Sequence, residues 1–258
     1  MRQLIARILF NILLCLFFVT RPSDLFAGEV TDDGQRVTSI VNKVLDAYGG
    51  KETIENIRSL HAKGETEAFM LRDHGTYELY FKRGRKLCVE IKYERSSELR
   101  LLNGDRGYRS NNGLPFEEVY GPRYFAMVYH YKHLDILHDL IQGTYRIRYE
   151  GKSSVNGNNV EVFNLNDKEG TVMDIYIGET NSLILKVTGY FSAGNKKMDL
   201  SSEFSDFKKV GGFVFPFRIT NYAEGLKIAQ TVINKYFLNP DIANSFFEPS
   251  IMQSLQTK

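Results

Sequence analysis

The chain has 258 residues, 43% apolar, 25% charged and 13% aromatic, with 33 basic and 31 acidic side chains. This composition excludes a disordered or fibrous chain and fits a globular protein with a sizeable core, burying roughly three quarters of its unfolded surface. Two cysteines make no disulfide framework, and a net charge of +2 argues against nucleic acid, which needs a clustered basic face.

The N-terminus reads as an export signal. Arg2 and Arg7 precede a run from Ile8 to Val19 that is apolar apart from Asn11, and Leu25-Phe26-Ala27 offers a small residue before Gly28. The run is too short for a comfortable membrane span, which wants about 20 residues. Cleavage after Ala27 is expected, with residues 28–258 forming one domain in the periplasm. Cys15 follows Leu14, where a lipidation signal wants Gly, Ala or Ser, so no lipid anchor is expected there. Removing residues 1–27 takes away Arg2, Arg7, Arg21 and Asp24 and leaves 30 basic against 30 acidic side chains. Cys88 is then the only cysteine.

Over 31–48 the spacing predicts an amphipathic helix, because Val37, Ile40, Val41, Val44, Leu45 and Tyr48 form one stripe at helical period. Thr31, Asp32 and Asp33 supply cap candidates, and Gly49-Gly50 stops the helix. A short second helix is expected over 51–57. From Leu60 the period changes to two, predicting strands at 60–70, 75–83, 86–94 and 97–102. Tyr77, Leu79 and Phe81 share one face of the second, and Leu87, Val89 and Ile91 one face of the third. Asn103-Gly104-Asp105 is a tight-turn signal leading into a strand at 107–110.

Residues 122–142 predict a helix whose polar Lys132, Asp135 and Asp139 cluster on one narrow side, while almost everything else is apolar. A helix apolar around most of its girth is buried on several sides. Strands follow at 145–153, 159–165, 171–178, 183–191, 196–206, 213–222 and 226–237. They are punctuated by turns such as Asn156-Gly157 and Gly211-Gly212, and a helical turn at 241–247 packs Phe246 and Phe247. Regular strands of this kind suggest a large antiparallel barrel, open or closed, of mainly β with α (α+β) class.

Catalytic motifs are absent. The sequence holds no Gly-x-Ser-x-Gly, His-Glu-x-x-His or Cys-x-x-Cys. Ser205-Asp206-Phe207-Lys208 matches Ser-x-x-Lys by spacing alone, inside a strand. His130, His133 and His138 are weak metal candidates: they lie on neighbouring sides of the buried helix, with Asp135 and Asp139 expected on the other. Cys88 alternates with Leu87 and Val89 and reads as a small buried hydrophobe. What remains is a sheet whose apolar face must be covered, and the helix at 122–142 either plugs it permanently or moves to expose an apolar cavity. Such a cavity gains about 0.8 kcal/mol per CH₂ removed from water, on the order of ten kcal/mol for one acyl chain before ordering costs.

Ser59-Leu60-His61-Ala62, Gly75 to Phe81-Lys82-Arg83 and Glu98 to Asn103-Gly104-Asp105 and Tyr108 carry a resemblance. With the order of elements, they make the chain similar to the LolA/LolB-like carriers that sort outer-membrane lipoproteins. In that family a strand ending in Lys-Arg is followed by one ending at an Asp-Gly or Asn-Gly turn. The resemblance implies an unclosed antiparallel half-barrel, with a helical lid over an apolar cavity for acyl chains and no enzymatic activity or cofactor. The family's basic residue that latches the lid maps onto Arg83, followed here by Gly84 where the family commonly has Pro. Candidate cavity and lid residues are Tyr77, Leu79, Phe81, Leu87, Val89 and Ile91 in the sheet. In the helix they are Phe125, Val128, Tyr131, Leu134, Leu137 and Ile141. The expected partners are lipid or lipoprotein acyl chains, an envelope donor or acceptor protein and a transient membrane contact, with the protein itself a monomer. The alternatives are an envelope sensor domain of the same fold and a metal-dependent envelope hydrolase.

Overall fold

The computed structural model describes residues 32–193 and 195–256. The export signal, its cleavage point and Cys15 lie outside them. Helix α1 spans Asp32–Ala47 and α2 spans Lys51–Asn56. Six strands follow: β1 Ser59–Ala68, β2 Asp73–Lys82, β3 Lys86–Tyr93, β4 Ser97–Asn103, β5 Arg106–Asn111 and β6 Glu117–Val119. After helix α3, Pro122–Ile141, come β7 Arg146–Val155, β8 Asn158–Asn166, β9 Val172–Gly178, β10 Ile184–Ala193, β11 Lys196–Val210, β12 Phe213–Ala223 and β13 Leu226–Leu238. A 3₁₀ turn at Asn244–Phe247 and helix α4, Pro249–Gln256, end the described chain. None of the described helices is long and apolar enough to cross a membrane. Residues 36–256 belong to one compact unit, and of the other only the first turn of α1 is described.

All thirteen strands belong to one antiparallel sheet in the order β6-β5-β4-β3-β2-β1-β13-β12-β11-β10-β9-β8-β7. Each strand pairs with its neighbour in sequence, and the long-range pairing β1–β13 joins the two meanders. The sheet is unclosed, as a half-barrel requires: β6 and β7 are its edges, and α3 is the segment of chain that runs between them. The tight turns have the expected chemistry. Asn156 and Gly157 both take positive φ, 48° and 77°, as a two-residue turn matched to strand twist demands. Strand β11 runs past its expected end at 206, because Asp206, at φ 55°, is accommodated without a change of register. Ser205 pairs with Arg218 and Phe207 with Pro216 across it. Pro216 is tolerated because β12 pairs with β13 only from Arg218 onward.

The core has three parts. One lies under β7–β10, where Ile40, Val44 and Leu45 of α1 and Ile136, Leu137 and Leu140 of α3 meet Phe163, Leu165, Met173 and Ile175. The second joins Leu60, Leu79, Phe81, Leu87, Phe215 and Tyr236 to Met127, Val128 and Tyr131. The third lies on the opposite face of β3 and β4, where Ile242, Phe247 and Met252 cover Cys88, Leu99 and Leu101. The sheet therefore has apolar residues on both faces here, and Phe247 is fully buried by this C-terminal cover. Burial also pushes the Cys88 thiol far up, so it remains protonated and acts as a hydrophobe.

Candidate functional site

Helix α3 is enclosed: no residue from Tyr124 to Ile141 is exposed. Two notches in the sheet let it approach. A Cβ on Gly107 would lie 3.0 Å from the Met127 sulfur, and one on Gly189 would lie 2.5 Å from the Tyr129 ring. The Tyr129 hydroxyl donates across that contact to the Val187 carbonyl at 3.0 Å.

The narrow polar side of α3 is buried by ion pairs. Lys132 Nζ lies 3.0 Å from the Asp167 carboxylate, in the turn after β8. Asp135 lies 3.4 Å from Arg83 Nε and accepts a hydrogen bond from the Tyr131 hydroxyl at 2.9 Å. Arg83 also donates to the Ile54 carbonyl at 2.7 Å and to the Glu55 carbonyl at 2.9 Å, covering the last turn of α2. One guanidinium thus ties α2, the end of β2 and α3 together. Burial, with Asp139 adding to it, holds the Asp135 carboxyl above the usual carboxylate range, against the pull of Tyr131, His138 and Arg83.

The three histidines do not converge as one set. The rings of His130 and His133 lie 5.0 Å apart, whereas the ligating atoms of His138 group with those of Asp135 and Asp139, all within 4.8 Å of one another. The expectation that both aspartates face away from the histidines is therefore wrong for His138. Spacings of three and four from 135 bring 138 and 139 to its side of the helix. Beside Asp135 lie both Arg83 Nε, at 3.4 Å, and His138 Nδ1, at 3.8 Å. Burial pulls His133 down to about 3 and His130 well below 6.5, in the latter case helped by His133 and Arg100, so both rings are neutral near pH 7. Neither nitrogen of His133 has a hydrogen-bond partner among the described residues.

Two chambers flank α3. The first, of about 100 Å³, is almost wholly apolar, walled by Tyr48, Ile54, Phe81, Leu134, Leu137, Phe204, Phe213, Phe215 and Tyr236, with Arg83, Asp135 and His138 at its rim. The second, of about 160 Å³, is bounded by Tyr77, Val89, Ile91, Arg100, His130 and the polar Thr66, Ser202, Asn221 and Thr231. His133 and Ile219 wall both. Of the residues read from the sequence, Tyr77, Phe81, Val89, Ile91, Leu134 and Leu137 border a chamber. Leu79, Leu87, Val128 and Tyr131 pack in the core, and Phe125 and Ile141 pack against it, away from both chambers. The aromatic walls from β12 and the polar wall from β11 and β13 were not singled out. Alternation over 213–217 carries the first signal, but inward-facing Thr and Ser read as outward.

No protein-family model and no curated protein matches the chain. Solved structures do. A DUF1329 family protein from Desulfovibrio piger superposes with TM-score 0.52 at 14% identity, over 83% of this chain and 98% of the other. A putative outer membrane lipoprotein-sorting protein domain from Vibrio parahaemolyticus gives 0.52 at 13%, over 83% and 97%. A LolA superfamily protein from Nitrosomonas europaea gives 0.52 at 14%, over 81% and 96%. The chain thus has the LolA-like fold, the half-barrel of lipoprotein-sorting proteins, and at this identity the likeness is one of fold.

Proposed function

We propose that the protein is an exported, periplasmic binder or carrier of acyl chains, from a lipoprotein or another lipid, without enzymatic activity. The observation that carries this reading is the apolar chamber beside an enclosed helix whose buried Lys132 and Asp135 are paired to Asp167 and Arg83 on other elements. Burying a chain there needs no chemistry beyond removal of CH₂ groups from water. The closed chamber is smaller than the roughly 150 Å³ void that accommodates benzene. An acyl chain therefore enters only when α3 shifts, and Arg83 serves as the latch that opposes the shift.

A neutral apolar dye, N-phenyl-1-naphthylamine, tests the reading. Its fluorescence should rise saturably on titration with the protein at one dye per chain. A signal no greater than that of an unrelated globular protein would contradict it.

A further inference from the structure

The second chamber carries charge that an acyl chain alone does not use. Strand β4 turns Glu98 and Arg100 to the same face as Leu102, which packs with the residues around α3. Arg100 grips Glu98 with two hydrogen bonds, from Nε at 2.7 Å and from Nη2 at 2.8 Å. Arg109, its neighbour across the β4–β5 ladder, lies 2.7 Å from the same carboxylate. Two guanidiniums thus share one carboxylate, and no other acidic side chain pairs with either among the described residues, leaving one positive charge. Arg100 keeps 36% of its side-chain surface open, and it forms part of the chamber wall.

The rest of that wall suits a polar guest. Thr66 and Thr231 hydroxyls meet at 3.1 Å, and the Ser202 hydroxyl donates to Asn221 at 2.8 Å; Thr66, Ser202 and Thr231 are all at least 96% buried. These hydroxyls are satisfied among themselves and their neighbours, and as rotors they can turn toward a guest beside Arg100. Across His133 the chemistry changes to the apolar chamber within one side chain.

We infer that the second chamber takes the anionic head of a single-chain amphiphile, a long-chain carboxylate, whose chain runs past His133 into the apolar chamber. This rests on the carrier reading and specifies its ligand class. The carboxylate accepts from Arg100 and from the neighbouring hydroxyls, and burial strengthens that charge-assisted pairing.

The test is displacement of bound N-phenyl-1-naphthylamine by dodecanoate and by 1-dodecanol, which share a chain length and differ in the head. Dodecanoate should bind the wild-type protein at least tenfold more tightly than dodecanol. Arg100→Gln should bring the two within about twofold by weakening dodecanoate alone, and Arg100→Lys should restore most of the preference. Equal binding of both by the wild type, or a preference that survives Arg100→Gln, overturns the head-group assignment and leaves the carrier reading standing. Failure of both ligands to displace the dye overturns both. Should Arg100→Gln fail to fold, a wild-type preference lost in Thr231→Val supports the assignment, and one retained there and in Ser202→Ala overturns it.

Discussion

His130 and His133 sit in an environment that a charged imidazole disfavours. An imidazole in water titrates near 6.5, and both are held neutral well below that by burial, His133 down to about 3. A depressed histidine pKa means that the unfolded chain binds protons that the folded protein refuses. Stability is then complete above the unfolded value near 6.5 and is lost as pH falls toward the folded value. Each histidine should contribute a slope of about 1.4 kcal/mol per pH unit below 6.5. Urea unfolding at pH 7.5, 6.0 and 5.0 should show this loss, with His133→Leu removing one share of it. Identical slopes in variant and wild type would show that the His133 ring is already charged in the folded protein.

Helix α3 is where apolar content and fixed charge meet. Its apolar girth packs it against both halves of the sheet, and glycines at 107 and 189 bring it close. Its polar side is fastened by Lys132–Asp167 and Asp135–Arg83. Removing one partner of a buried pair costs more than the pair contributes, because the remaining charge is left without compensation. Arg83→Leu also strips two hydrogen bonds from the end of α2. It should lower the unfolding free energy by about 2 to 3 kcal/mol, with Asp135 still accepting from Tyr131. Amide exchange in 122–142 should quicken while the sheet keeps its protection. Unchanged exchange there would remove Arg83 from the role of latch.

At the scale of the molecule, the meander was legible because strands with one buried face alternate and their turns use Asn-Gly and Gly-Gly chemistry. Leu60–Ala68, Tyr77–Phe81 and Phe163–Ile177 show it directly. The three-residue β6 and the helix α4 carry too few residues for a period to register. The outer cover of β3 and β4 was half visible, through Phe247. The candidate site was legible in its apolar half, from Phe81 to Leu137, and its polar half was not. Thr66, Arg100 and Ser202 face inward, against the rule that polar residues on a strand point to water. The partners of Lys132 and Asp135 lie far away in sequence, so only the fold reveals that their charges are paired.

On the proposed reading, the two chambers and the fastened helix form a site for an amphiphile that opens when α3 shifts. Native mass spectrometry of the full chain, purified under gentle conditions from its own cell envelope, tests this most directly. A single defined adduct with the mass of an acyl lipid, released when α3 is freed by Arg83→Leu, is the predicted result. Repeated preparations that carry no lipid, together with no uptake when acyl lipids are added back, would contradict it.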